Sequence, residues 1–145
     1  PHTVSRLTRL TLLSLKNNNL RELPPEIGQC VALKYLSLNA NDIVALPDAL
    51  TSLGALRRLT LAANNCTALP AALGRLSSLV RLDISSNPVQ LLPHSLGALH
   101  LTLEGIDIFE CNHLADPPRP VLAAGHERVM EYLRKVSRSV SSQMT

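Results

Sequence analysis

The chain has 145 residues, a formal net charge of +3 and 46% apolar residues, enough for one domain with a sizeable core. It has no Trp, one Phe and two Tyr, which excludes a packed aromatic core and leaves Leu, with Ala, Val and Ile as filler, to build the interior. The basic residues are scattered, so the charge balance supports solubility and an acidic partner but is no sign of nucleic acid by itself.

From Leu10 to Pro93 one pattern is written four times. Leu10, Leu33, Leu56 and Leu79 stand 23 residues apart. The same step links Asn18, Asn41, Asn64 and Asn87, and Pro24, Pro47, Pro70 and Pro93. A fixed period of this size signals stacked structural units. Each unit reads Leu-x-x-Leu-x-Leu-x-x-Asn-x-Leu-x-x-Leu-Pro, followed by a segment that ends in a Leu-Gly-x-Leu-like run. The alternation Leu13-Ser14-Leu15 predicts a short strand with one buried face. Because that strand recurs once per turn in one direction, neighbours are expected to pair in parallel. The Asn column is predicted to be structural, its amides satisfying backbone groups where the strand bends into the coil.

Pro at the end of each unit fixes φ and removes a donor as the chain leaves the buried Leu. The segments that follow are read as short helical or 3₁₀ turns on the outer side, burying Ile27, Leu50, Leu73 and Leu96. Gly28, Gly74 and Gly97 are expected to permit a tight exit, with Thr51 standing in the second unit. Upstream, Pro1 aligns with Pro24, Val4 with Ile27 and Leu7 with Cys30, so the chain is expected to start inside an earlier repeat that a further repeat or cap covers. Cys30 and Cys66 occupy apolar columns and read as small buried groups. Three cysteines without close spacing, no leader segment and no apolar run of membrane-spanning length together predict a reducing, cytoplasmic setting.

After Pro93 the register slips. The next Asn after Asn87 is Asn112, followed by Leu114 and by Pro117-Pro118 where Leu-Pro should stand, which reads as two residues added between His94 and Cys111. Strict alignment from Asn112 puts Phe109 in a Leu column and Asp107 in another; a slip of one buries Ile106 and Ile108 instead, the better choice on hydrophobic grounds. From Val121 to Val136 the apolar spacing becomes that of an amphipathic helix, weakened in its middle by Gly125, whose expected role is to cover the last coil. The expected division is repeats over 1–118, a capping helix over 119–136 and a loose polar tail over 137–145.

This motif resembles the intracellular leucine-rich repeats of 23 residues found in Scribble-type, Ras-scaffold and Roco proteins, and the segment from Pro117 to Arg134 looks like their C-terminal closure. The resemblance implies an α/β fold: a right-handed leucine-rich-repeat solenoid, a segment of a horseshoe, with a short parallel β-sheet on the concave face and a C-terminal helical cap. It also implies protein binding rather than catalysis, with a small GTPase, a phosphatase or a cytoskeletal protein among the partners it allows.

The residues agree that an enzyme is not expected. His2, His94, His100, His113 and His126 lack metal-ligand spacing, and no Cys-x-x-Cys accompanies them. There is no phosphate-cradling Gly loop, no Gly-x-Ser-x-Gly and no converging pair of acids, so no cofactor is expected. Cys111, beside Asn112 and His113, reads as a turn position with an ordinary thiol rather than as half of a Cys/His pair.

The functional candidates are the residues between the buried leucines, which face away from the core. Stacked, they form the columns Leu12, Tyr35, Arg58, Arg81; Ser14, Ser37, Thr60, Asp83; and Lys16, Asn39, Ala62, Ser85. Lys16, Tyr35, Asn39, Arg58, Arg81 and Asp83 are the predicted partner-binding residues, with Tyr35, Arg58 and Arg81 at the centre because Tyr and Arg are favoured interface anchors. Any one of them reads as a solvated side chain; the column as a whole reads as a docking face. Strands about 4.8 Å apart give a narrow ribbon, so a tight interface needs an extended array. Two rivals stand beside the scaffold reading. One makes the chain the recognition arm of a larger enzyme, a Roco-type GTPase or a kinase. The other, nucleic-acid binding through Lys16, Lys34, Arg57, Arg58 and Arg81, is disfavoured because no aromatic platform interleaves them.

Overall fold

The computed structural model describes residues 7–143, so the partial first repeat expected around Pro1 and Val4 lies outside the described residues. Strands β1 (Leu12–Ser14), β2 (Tyr35–Ser37), β3 (Arg58–Thr60), β4 (Arg81–Asp83) and β5 (Gly105–Asp107) form one parallel sheet in chain order. Leu13, Leu36, Leu59, Leu82 and Ile106 are aligned across it. Each coil buries the Leu-x-Leu face on this side and a 3₁₀ turn on the other: Pro25–Gln29, Asp48–Ser52, Leu73–Arg75 and His94–Leu99. Ile27, Leu50, Leu73 and Leu96 are buried as the spacing requires, and so are Cys30 and Cys66. Each fully buried Leu or Ile contributes about 1.5–3 kcal/mol. The molecule is thus a leucine-rich-repeat solenoid closed by helices.

Past each strand the ladder runs on into the bend. Leu38 N–H donates to Thr60 O at 2.8 Å, and Ala40 N–H to Ala62 O at 2.9 Å. Here the chain turns left-handed at Asn17, Ala40, Ala63, Ser86 and Glu110, with φ between +53° and +58°. A side chain in that region costs about 1–2 kcal/mol. Four of these residues, Asn17 to Ser86, donate their N–H to the following coil, and that bond holds them there.

The asparagines sit just inside the bend. Asn64 donates Nδ2 to Leu38 O and to Leu61 O, both at 3.0 Å, while its Oδ1 accepts Ile43 N–H at 3.0 Å. Asn41 and Asn87 repeat this arrangement one coil earlier and later. Each amide therefore joins two coils. Asn18, the first in the column, is exposed and, among the described residues, bonds within its own coil, to Leu15 O and Lys16 O.

The glycines of the outer turns serve a purpose other than the expected tight exit. None of Gly28, Gly74 and Gly97 has a positive φ; each lies where the next layer's backbone presses in. A β-carbon on Gly28 would stand 2.5 Å from Ala49 O, and one on Gly74 would strike Ser95 O. Thr51 holds the equivalent place in the second turn, buried, its hydroxyl donating to Asp48 O at 2.7 Å. The turn that follows it, Leu73–Arg75, is the shortest of the four.

The irregular coil resolves into two separate insertions, which corrects the sequence reading on two points. Leu82 pairs with Ile106, so only one residue has been added before the fifth strand, at the exit from the turn His94–Leu99, where Leu103 N–H reaches back to Leu99 O. Ile106 and Ile108 face the core, as hydrophobicity favoured. In this register it is Cys111, not Asn112, that enters the asparagine column: its Sγ donates to Ile84 O at 3.2 Å, while Asn112 is exposed. The second added residue lies beyond Cys111, before buried Leu114.

The cap consists of α1 (Arg119–Ala123) and α2 (His126–Gln143), divided at Gly125, whose φ of +97° few other residues adopt. Helix α2 lies across the turn His94–Leu99 and buries Val129, Met130 and Leu133. Gly97 permits the contact, since a β-carbon there would meet Arg134 N at 2.5 Å. Asp116 ties coil to cap, accepting Tyr132 O–H at 2.6 Å and meeting His94 Nε2 at 2.6 Å. The helix runs on past Val136, where the sequence reading ends it. The hydroxyls of Ser139, Ser141 and Ser142 donate to carbonyls of the preceding turn, so these serines are accommodated within the helix.

Candidate docking face

The strands are three residues long, and in β2, β3 and β4 the central Leu is buried, so the residues on either side point outward. The register places Tyr35, Arg58 and Arg81 in one column with Leu12 and Gly105, and Thr60 and Asp83 in the next with Asp107. Tyr35, Arg58, Arg81 and Lys16 are exposed; Asn39 and Asp83 are half-buried.

Three of the six predicted residues come together. Arg58, Arg81 and Asp83 line an open groove of about 690 Å³ that the fifth coil completes with Asp107 and Phe109. Lys16, Tyr35 and Asn39 lie outside it, toward β1 and β2. Asn39 is engaged by the scaffold, its Oδ1 accepting Ala62 N–H at 2.8 Å.

The groove's carboxylates are fixed in place. Asp83 Oδ1 accepts the Ser85 N–H at 3.0 Å and the Ser85 hydroxyl at 2.6 Å; Asp107 Oδ1 accepts Phe109 N–H at 3.0 Å. The Arg81 guanidinium lies across the bare backbone of Gly105, where a β-carbon would stand 3.0 Å from Nη1. Among the described residues Arg128 and Lys135 pair with Glu131, and none of the groove's two arginines and two aspartates forms an ion pair. Phe109, 70% exposed, ends the strip. Asp107 and Phe109 escaped the sequence reading because the inserted residue hid their columns, although Ile106-x-Ile108 carried the signal.

Burial pushes the thiols of Cys30, Cys66 and Cys111 above their ordinary range, the opposite of an activated nucleophile. Among the described residues no group of His, Cys, Asp and Glu is arranged to hold a metal ion. Both oxygens of Asp116 are occupied, by His94 and Tyr132, which makes that trio a tie between coil and cap. No helix among the described residues is long and apolar enough to cross a membrane.

Comparison with known proteins agrees with the geometry. A profile described as a leucine-rich repeat region matches residues 1–87, and a leucine-rich repeat profile matches residues 78–99. Among curated proteins none matches the chain. A leucine-rich repeat protein of Leptospira interrogans superposes with a TM-score of 0.72 at 31% identity, over 79% of this chain and 32% of that one. The ectodomain of the Arabidopsis thaliana membrane receptor kinase GASSHO1/SCHENGEN3, solved in complex with CASPARIAN STRIP INTEGRITY FACTOR 2, gives 0.64 at 33% identity, over 74% of this chain and 14% of that one. The ectodomain of the Arabidopsis thaliana receptor kinase SOBIR1 gives 0.68 at 27% identity, over 79% and 64%. The chain therefore spans less than two thirds of the length of each.

Proposed function

Because this chain belongs to the leucine-rich repeat family, we propose that it is a protein-interaction scaffold that docks a partner protein on its concave face. The observation that carries the proposal is the open groove that brings Arg58 and Arg81 beside Asp83 and Asp107, with both carboxylates held in place and none of the four in an ion pair among the described residues. Arg58, Arg81 and Asp83 form its centre, with Tyr35, Lys16 and Asn39 extending the contact toward β1. Exposed charges left without partners gain most from a complementary surface, which sets orientation and association rate. A neighbour of the same fold was solved with a bound partner, which supports the reading. We place the chain with the intracellular class of 23-residue repeats, in the cytoplasm and without catalytic activity of its own; three buried cysteines that form no disulfide support a reducing setting. A small GTPase, a phosphatase or a cytoskeletal protein fits such a scaffold.

The test is photocross-linking in cell extract from probes at Tyr35 and Arg81, against control probes at Ala49 and Arg75 in the outer turns. Cross-links are expected from the first pair only, and Arg58→Glu with Arg81→Glu should abolish capture while the circular dichroism spectrum stays unchanged. Undiminished capture moves the site elsewhere. A second reading, the regulatory arm of a larger enzyme, is favoured by the two receptor-kinase ectodomains among the similar structures and by the short span of the chain within them.

A further inference from the structure

The groove is not uniformly charged, and its order matters. Along the strand direction come first a guanidinium column (Arg58, Arg81), then a carboxylate column (Asp83, Asp107), then the exposed ring of Phe109. We propose that this end of the concave face takes an extended protein segment running along β5, in which an acidic, a basic and an apolar residue occupy positions i, i+2 and i+4, in either chain direction. The inference rests on the docking reading above and specifies the chemistry of the partner.

The spacing follows from strand geometry. In this parallel sheet a rise of about 3.3 Å per residue puts the columns of positions 81 and 83 about 7 Å apart, and the chain then turns past Asp107 to present Phe109 beyond the end of β5. An extended segment presents every second side chain to one side at that same interval. Its carboxylate then meets Arg58 and Arg81, where charge-assisted hydrogen bonds to guanidinium are strong and paired. Its cation meets Asp83 and Asp107, each of which spends one oxygen on the scaffold and keeps the other. Its apolar residue covers Phe109. Arg and Asp sit in adjacent columns without closing on each other, because Arg81 lies over Gly105 instead of turning toward Asp83. A β-carbon at position 105 would crowd the Arg81 guanidinium where it lies. A segment of one charge sign would satisfy one column and leave the other facing a repelling or desolvated neighbour.

The experiment is selection of random linear peptides displayed on phage against the whole chain, followed by synthesis of an enriched peptide and mapping of amide shifts. Enriched peptides are expected to carry the acidic-x-basic-x-apolar order, read in either chain direction, and to shift Arg81, Asp83, Gly105 and Phe109. Asp83→Asn with Asp107→Asn keeps the acceptors for Ser85 and Phe109 and removes only the charge; it should weaken binding about tenfold, the scale of one charge-assisted contact. Arg58→Gln with Arg81→Gln should do the same. Peptides of a single charge sign that still shift the concave face, or affinity unchanged in the Asn variant, overturn the ordered strip while the docking face stands. Peptides that shift only the outer turns overturn both. Failure to enrich any peptide overturns the strip alone, the face being decided by the cross-linking above.

Discussion

Replacing Asn64 by Ala tests the claim that the solenoid is held at its bends. Truncation leaves Ile43 N–H buried without its acceptor, which costs about 1–3 kcal/mol, and takes a donor from the carbonyls of Leu38 and Leu61, each worth about 0.5–1.5 kcal/mol. The expected loss is about 3 kcal/mol, a large share of the roughly 5–15 kcal/mol that holds a domain together. Asn18 occupies the same sequence column but is exposed, and water replaces its two bonds to Leu15 and Lys16, so Asn18→Ala should lose only about 0.5 kcal/mol. With a urea slope near 2 kcal/mol per molar, the midpoints should fall by about 1.5 M and about 0.3 M. Equal shifts for the two variants would refute the argument, since the sequence column would then matter and the burial of its amides would not.

Gly97→Ala should undock the cap, because the new β-carbon meets the backbone of Leu133 and Arg134, which cannot swing aside as a side chain can; thermal melting should drop by several degrees, while Gly54→Ala, with nothing within 4 Å, should leave it nearly unchanged. Leu133→Asp places a carboxylate at a fully buried position and should lower the melting temperature by several degrees; an unaltered curve would reject the cap's role. Alkylation of the native chain at pH 8 should modify Cys30, Cys66 and Cys111 far more slowly than in urea, as mass spectrometry would count. Since burial raises all three thiols, the unfolded chain ionises first: their contribution to stability is fully present below about pH 8.5 and is lost as pH rises through the native values, which urea midpoints measured across pH 8 to 10 would follow.

The 23-residue period by itself determined the stack of coils, the parallel sheet, the buried Leu columns, the asparagine ladder and the column shared by Tyr35, Arg58 and Arg81. Those features follow from local rules repeated without change, since a side chain's face is set by its place in the period. Where the period broke, only the tertiary structure decided. Cys111 rather than Asn112 entered the ladder because the sheet fixed Leu82 opposite Ile106, and with that choice Asp107 and Phe109 joined the groove. The glycines kept their places in the pattern but changed their reason, from freedom of φ to the approach of the next coil and of α2. The tie through Asp116 joins His94 to Tyr132 across a long stretch of chain, and no spacing rule connects residues that meet only because one layer lies on another.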